Sequence, residues 1–412
     1  MTASAYDRAD AVPALTIRRV RPDELTAFLR VLGDAYGRSV DDYFVDAWRG
    51  AFDYDRNRGL FLGDRLVGTG TSGLVSVTAP GPTTVSVACT GNLTVDGAVT
   101  IPGLAERMFR QQCREHRDEG LPFVVFTVMD IMKKFHFRVG SAPVTESVRL
   151  SLTPDRSPVA DGHVHGSVED VPLGSAELRD VHRDAAATTV GMMIREPAWM
   201  GAVRRLAAVP VRPEVWGYRE AGRLQGFAVF RPVSDSDGRR TVLVVDELTT
   251  IGPAACHALV GRLLASGADQ VVIEHWRLDD PLRIWLGDRV GVQRGPLRDG
   301  LWMRILDVPG TLTSRQYAGA GQVTLEVADR FLPEVSGRFL LEVDADGPRC
   351  RPSRGPVDVR LTVGALAAVY FGATSGRAVL ESGRAVASDV DAGKRFSALF
   401  RTDQIPFSGP EW

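Results

Sequence analysis

Two pairs of residues are spaced for direct chemistry. Cys113 and His116 lie three positions apart in a helical stretch, so a thiol and an imidazole can meet on one face. No third group that would orient the imidazole stands out, and the spacing favours a partly buried thiol over a cysteine nucleophile. His163 and His165 alternate as they would on one face of a strand, but they fall in a segment rich in Pro, Asp, Gly and Ser. Two histidines without a third ligand make a poor zinc site, so no metal is expected. Cys89, Cys113, Cys256 and Cys350 form no CxxC pair, which removes the usual zinc spacings and a disulfide framework. Gly68-Thr69-Gly70 reads as a strand-edge turn, because no helix follows in the register a dinucleotide loop needs.

The elements that must position any site fall into three groups. LTIRRVRPDEL opens with a strand and enters a helix marked by Pro22, Asp23 and Glu24. Helical patterning continues through Phe28 and Val31 and again around Tyr43–Trp48. Strand candidates follow at Gly59–Leu62, Leu66–Thr71 and Thr84–Val95. A glycine-bearing loop then leads into the helix Leu104–His116, and the apolar run Phe123–Val128 reads as a buried strand. That order suits a mixed α/β domain. After a linker-like stretch the grammar repeats, with helices at Arg179–Val190 and Trp199–Ala208 and strands at Glu214–Arg219, Gln225–Arg231 and Thr241–Glu247. A helix at Pro253–Ser266 and a strand at Gln270–Glu274 complete it. From Gly300 strands come first and helices afterwards, an α+β pattern. The expected division is 1–152, a linker at 153–166, 167–300, and 301–412.

Composition narrows the function classes. The 412 residues exceed one ordinary core, and 44% hydrophobic with 24% charged residues is a globular balance. A net charge of -2 gives a nucleic-acid partner no electrostatic support. No uninterrupted apolar run long enough to span a bilayer occurs, and the first residues carry no basic-then-apolar signal pattern. The expected partner is a small molecule, the expected home a reducing cytoplasm.

LWMRILDVPGTLTSRQY (Leu301–Tyr317), LTVGALAAVYFGA (Leu361–Ala373), AWRGAF (Ala47–Phe52) and the Glu411-Trp412 ending together resemble the enhanced-intracellular-survival (Eis) family across the whole chain. The resemblance implies two tandem GNAT-like domains followed by a sterol-carrier-protein-2-like domain. It also implies acetyl-CoA or another acyl-CoA as cofactor, amine acetylation, and a homo-oligomer, with a hexamer common in the family. By the same resemblance Leu93, Val95, Gly103 and Leu104 fall at the cofactor, where amides at a helix N-terminus suit pyrophosphate. The family's run of arginines before that glycine is replaced by Val99, Thr100, Ile101 and Pro102, and Pro102 has no N–H to donate. Asp96 adds a negative charge, so acetyl-CoA is expected to bind weakly. Met132 stands where the family has a tyrosine that protonates the leaving thiolate, a role methionine cannot fill. Lys133 and His136 are nearby substitutes, against the plainer reading of a solvated lysine and a packed histidine in a turn. The family also uses its terminal carboxylate as general base, which assigns that role here to Trp412. Tyr36, Trp48, Asp280 and Glu411 fall at or near substrate-pocket positions, with Trp48 equally readable as core.

The leading expectation is therefore an acyltransferase acting on an amine of a small molecule, in a setting such as secondary metabolism, with the Trp412 carboxylate as base and His136 as the next candidate. The altered loop and the missing tyrosine keep two other readings open. One is a GNAT fold that has abandoned acetyl-CoA for cyclisation, elimination or decarboxylation in the same cavity. The other is a non-catalytic ligand-binding protein.

Overall fold

The computed structural model describes residues 15–50, 52–154, 165–194, 213–234, 237–238, 240–279, 285 and 291–410. In chain order the first part supplies β1 (Leu15–Arg19), α1 (Leu25–Ala35), α2 (Asp42–Arg49), β2 (Arg58–Leu62), β3 (Arg65–Ala79) and β4 (Thr83–Val95). α3 (Leu104–Asp118), β5 (Phe123–Phe126), α4 (Lys133–Arg138), β6 (Ala142–Pro143) and β7 (Glu146–Leu152) follow. The middle part has β8 (Ser167–Asp170), α5 (Ala176–Thr188), β9 (Met193–Ile194), β10 (Glu214–Glu220), β11 (Arg223–Ser234) and β12 (Thr241–Thr250). It ends with α6 (Pro253–Leu264), β13 (Gln270–Trp276), β14 (Val292–Asp299) and β15 (Trp302–Ile305). The last part holds α7 (Val308–Thr313), β16 (Gly321–Ala328), β17 (Gly337–Asp344), β18 (Gly347–Pro352) and β19 (Val359–Thr362). It closes with α8 (Val363–Tyr370), α9 (Gly376–Glu381), β20 (Ala385–Ala387) and α10 (Val390–Leu399).

Three sheets result. The first runs β1-β2-β3-β4-β5-β15-β6, with β9 paired to β3; the second runs β14-β7-β13-β12-β11-β10-β8; the third runs β18-β17-β16-β19-β20. The repeated grammar of the sequence becomes a repeated structure. In each of the first two units a helix, α3 or α6, links two parallel strands, β4 to β5 and β12 to β13. The α/β and α+β expectation is met, with two mixed α/β units preceding a unit whose strands come largely before its helices.

Strand pairing crosses the divisions expected at residues 152 and 300. β7 lies between β13 and β14 in the second sheet, and β15 lies between β5 and β6 in the first. The physical reason is that each strand is apolar on the face its host sheet buries: Val148, Leu150 and Leu152 join the second core, while Trp302, Met303 and Ile305 join the first. A strand's side-chain pattern, not its place in the chain, decides which sheet can bury it. The exchange also ties the site in the first sheet to both neighbouring units.

The first and third units share one apolar core. It reaches from Phe109 and Phe123 through Trp302 to Leu325 and Phe396. Every residue of α8 is buried, as its unbroken apolar sequence VGALAAVY requires. Arg304, at 0% exposure, crosses this core to an ion pair with Asp329, and its Nη1 donates to the Ile305 carbonyl at 2.6 Å. Asp329 also accepts from the amides of Phe331 and Leu332 at 2.9 and 3.0 Å.

Candidate active site

β4 and β5 pair in parallel only at Ala88–Val124 and Cys89–Val125. β5 stops one residue later, whereas β4 runs on to Val95. The β5-facing edge of residues 90–95 therefore has no strand partner, and a gap opens between the strands. Within it β4 carries a bulge: the β3 register skips from Thr69–Thr94 to Thr71–Gly91, and Asn92 takes φ +49°. A bulge re-aims backbone groups that a regular ladder would consume. Here it is pinned by Thr69 Oγ1, which donates to the Asn92 carbonyl at 2.9 Å, and by Asn92 Nδ2, which donates to Thr71 Oγ1 at 3.1 Å.

The loop beyond β4 feeds α3, fifteen residues long, whose N-cap is Gly103 at φ +78° with no side-chain cap. That left-handed conformation calls for glycine, and a Cβ there would meet nothing within 4 Å, so open space faces the helix N-terminus. The residues that replace the family's arginines have a structural use. Val99 and Ile101 pack, with Leu93 and Val95, against the cluster of Leu60, Val67, Leu104 and Met108. The negative charge expected from Asp96 is offset by a partner the sequence did not reveal. Arg65 Nη2 lies 2.5 Å from Asp96 Oδ2, while Asp96 Oδ1 accepts from the Ala98 amide at 2.9 Å.

Past β5 a tight turn at Asp130–Met132 leads into α4. Met129 and Ile131, just beyond the end of β5, are exposed, 55% and 83%. Lys133 bridges two carboxylates, Asp130 and Asp299, each at 2.8 Å. Hydrogen bonds to both raise its pKa, so it holds its proton firmly and is a poor acid for a thiolate. His136 is buried in an aromatic nest, with ring centroids 4.6 Å from Phe126, 5.7 Å from Phe109 and 6.2 Å from Trp302. Its Nδ1 has no hydrogen-bond partner, and burial pushes its pKa down to about 4. Burial and ring packing support the plainer of the two sequence readings, a packed histidine.

Two acidic residues that the sequence did not single out stand beside this turn. Glu146 on β7 and Asp299 on β14 are direct cross-strand partners. Burial and the charge of Asp299 raise the pKa of Glu146. The following strand starts at Trp302, paired with Phe126, the last residue of β5, so the carboxylates lie close to the open end of the gap. The chain's last described residues come to the same place. Thr145 Oγ1 donates to Ser408 Oγ at 3.0 Å and accepts from the Leu301 amide at 2.7 Å. Glu411 and Trp412 lie outside the described residues, as do Asp280 and His163.

Tyr36 and Trp48 sit on a different part of the first unit. Tyr36 caps α1 and is 42% exposed, with its pKa raised chiefly by burial. Trp48 on α2 packs edge-on to Phe52, and its indole Nε1 is buried without a hydrogen-bond partner. Cys113 is core, its thiol pushed up to about 12 by burial. His116 turns instead to Ser72 Oγ at 2.9 Å and Glu119 at 3.4 Å. Ser72 and His116 are both buried, which makes this a structural network.

The second unit has the corresponding gap between β12 and β13, and the described residues leave a smaller space there. Phe407, whose amide donates to the Val190 carbonyl at 2.8 Å, joins Leu248, His275 and Trp276 around a cavity of only about 60 Å³. That is roughly two water volumes.

Profiles of the acetyltransferase (GNAT) domain match residues 16–140 and 191–305, and a sterol carrier protein domain matches residues 308–409. An uncharacterised N-acetyltransferase of Streptomyces griseus is 28% identical over 96% of this chain and 99% of its own length. The N-acetyltransferase Eis of Mycobacterium tuberculosis is 26% identical over 83% of this chain and 84% of its own. The chain is an Eis-like N-acetyltransferase. In fold, this Eis-like chain is similar to Eis1 from Mycobacterium abscessus, with a TM-score of 0.85 and 24% identity over 97% of this chain and 100% of that one.

The GNAT units imply acyl-CoA use, and the Eis-like geometry of the first unit suits that cofactor. The open β4 edge offers unpaired backbone groups to an amide-bearing arm, in the manner of strand addition. The uncapped α3 N-terminus with free space at Gly103 offers amides and a dipole to phosphates. In the first turns of α3 Glu106 takes Arg110 at 3.0 Å, while the neighbouring Arg107 is exposed.

Proposed function

We propose that this Eis-like chain transfers an acyl group from an acyl-CoA to the amine of a small molecule, and that Glu146 is the base. The observation that carries this reading is the Glu146–Asp299 pair at the open end of the β4–β5 gap. When bound, an acyl-CoA supplies a thioester carbonyl for an amine to attack. The chain's own contribution is to hold, orient and deprotonate. Leu93 and Val95 lie on the free β4 edge, and Gly103 and Leu104 stand at the phosphate end. An amine arrives largely as an ammonium at neutral pH, which the two carboxylates attract. It must lose a proton before it can attack. A carboxylate with a raised pKa is the better base for that step. Lys133, locked between Asp130 and Asp299, fixes the turn that carries Met132. The exposed Met129 and Ile131, just beyond the end of β5, favour an acceptor with an apolar body.

Trp412 and Glu411 belong to the same proposal as a second source of carboxylate. From Pro410, two further residues extend at most about 7 Å, and Ser408 already contacts Thr145, next to Glu146. Tyr36 and Trp48 belong to the acceptor side by resemblance alone, since they sit on a different part of the first unit. The homo-oligomer, a hexamer by resemblance, and the cytoplasmic setting complete the reading. The non-acyl alternative is not favoured, since the relatives carry N-acetyltransferase names.

The test is thiol release from acetyl-CoA in the presence of a panel of small amines. Release that requires the amine, with the acylated amine found by mass spectrometry, is the expected result. No release with any amine, at saturating acetyl-CoA, would overturn the proposal.

A further inference from the structure

At the far end of β4 from the cofactor edge, the turn Pro80–Pro82 faces the third unit across a cavity of about 190 Å³. Arg315 lines it and is 1% exposed. A buried guanidinium without a counter-charge is costly, and burying one ordinarily requires a carboxylate. Arg315 has no such partner among the described residues. Its Nε donates to the Gln316 carbonyl at 3.1 Å and its Nη1 to the Tyr370 carbonyl. The rings of Tyr317, Phe400 and Tyr370 cover it, their centroids 4.5, 5.6 and 5.8 Å from the guanidinium carbon. Those contacts use two of the five N–H groups of an arginine. Among the described residues Nη2 has no hydrogen-bond partner. Arg401 and Asp403 also line the cavity, so its walls carry two cations and one anion.

We propose that this cavity is a binding site for a small organic carboxylate, received by the free edge of the Arg315 guanidinium with Arg401 as the second cation. The planar fork of an arginine matches a carboxylate in two parallel hydrogen bonds. The net single positive charge of the walls matches a monoanion. The volume equals roughly six waters, enough for an acid of modest size. Pro80, Pro82 and Val190 give its body apolar contacts. The carboxylate supplies the counter-charge that the fold withholds from Arg315. Because the cavity lies beyond Thr83 while the cofactor edge is at Leu93–Val95, the two ligands do not compete.

The experiment is calorimetric titration of the full chain with acetate, lactate, benzoate and glutarate, with benzamide as the neutral counterpart of benzoate and with inorganic phosphate. At least one carboxylate should bind with a Kd at or below about 1 mM, and benzamide should not. Arg315→Gln should weaken that binding by about tenfold or more. Should Arg315→Gln fail to fold, Ala318→Trp decides, since it fills the exposed side of the cavity and leaves the buried core untouched. It should abolish binding at an unchanged melting temperature. Absence of binding by all four acids, equal binding of benzamide, a preference for phosphate alone, or binding that survives Ala318→Trp would overturn the proposal.

Discussion

Glu146 and Asp299 face each other directly across β7 and β14, two carboxylates on neighbouring strands from chain segments about 150 residues apart. Burial first, and the like charge of Asp299 second, raise the pKa of Glu146. Glu146→Gln should lower kcat by about 10²- to 10⁴-fold, with little change in the KM for acyl-CoA. In the unmodified protein the rate should fall on acidification through a pKa above the usual carboxylate range. Asp299→Asn removes the repelling charge, so that limb should move to lower pH. A pH–rate profile that ignores both substitutions would remove Glu146 from the mechanism.

The tail is anchored upstream of its last residues, by Phe407 to Val190 and by Ser408 to Thr145. Removing residues 411 and 412 should therefore leave the melting temperature nearly unchanged. If the carboxylates of Glu411 or Trp412 assist the transfer, turnover should drop by an order of magnitude or more. Full turnover after the deletion would leave Glu146 as the base alone.

The fold was largely legible in the sequence, and the site only in part. Local periodicity marked α3, β4, β5 and α6, because each buries its own apolar pattern. It could not show that β7 and β15 change sheets, since pairing between residues far apart leaves no local trace. The same limit hid Glu146–Asp299, brought together by that exchange, and the Arg65–Asp96 pair that offsets the loop's negative charge. The loop was read as having lost its arginines. What sequence reading missed is that Val99 and Ile101 bury themselves against Leu104 and Met108. For His136 the local sequence leaves catalysis and packing both open, because the rings of Phe126, Phe109 and Trp302 that surround it come from distant segments.

His136 also sets a pH dependence of stability. Its folded pKa, about 4, lies below the ordinary histidine value of 6.5. Between those values the unfolded chain binds the proton and the folded chain does not. The protein should lose stability as pH falls from 6.5 toward 4, by roughly 3 kcal/mol in total, with no effect of this group above 6.5. In His136→Phe that part of the slope should vanish. Denaturant unfolding across pH 4 to 7 checks it, and parallel slopes in the two proteins would show that His136 is not the group responsible.

Arg304 and Asp329 tie the strand exchanged into the first sheet to the third unit. Removing one partner leaves a charge buried and unpaired, so Asp329→Ala or Arg304→Met should cost about 3–5 kcal/mol. Replacing both with apolar residues of similar size should cost much less. Denaturant midpoints of the two single variants and the double variant distinguish a buried pair from two independent contributions.

In the proposed function the first unit holds acyl-CoA chiefly through backbone groups, at the open β4 edge and the α3 N-terminus. The most direct measurement is a calorimetric titration of the full chain with acetyl-CoA at two salt concentrations. The account predicts one site per chain, a Kd between about 10 µM and 1 mM, and only slight weakening at high salt because backbone groups make most of the contacts. No saturable binding up to about 10 mM acetyl-CoA would contradict it.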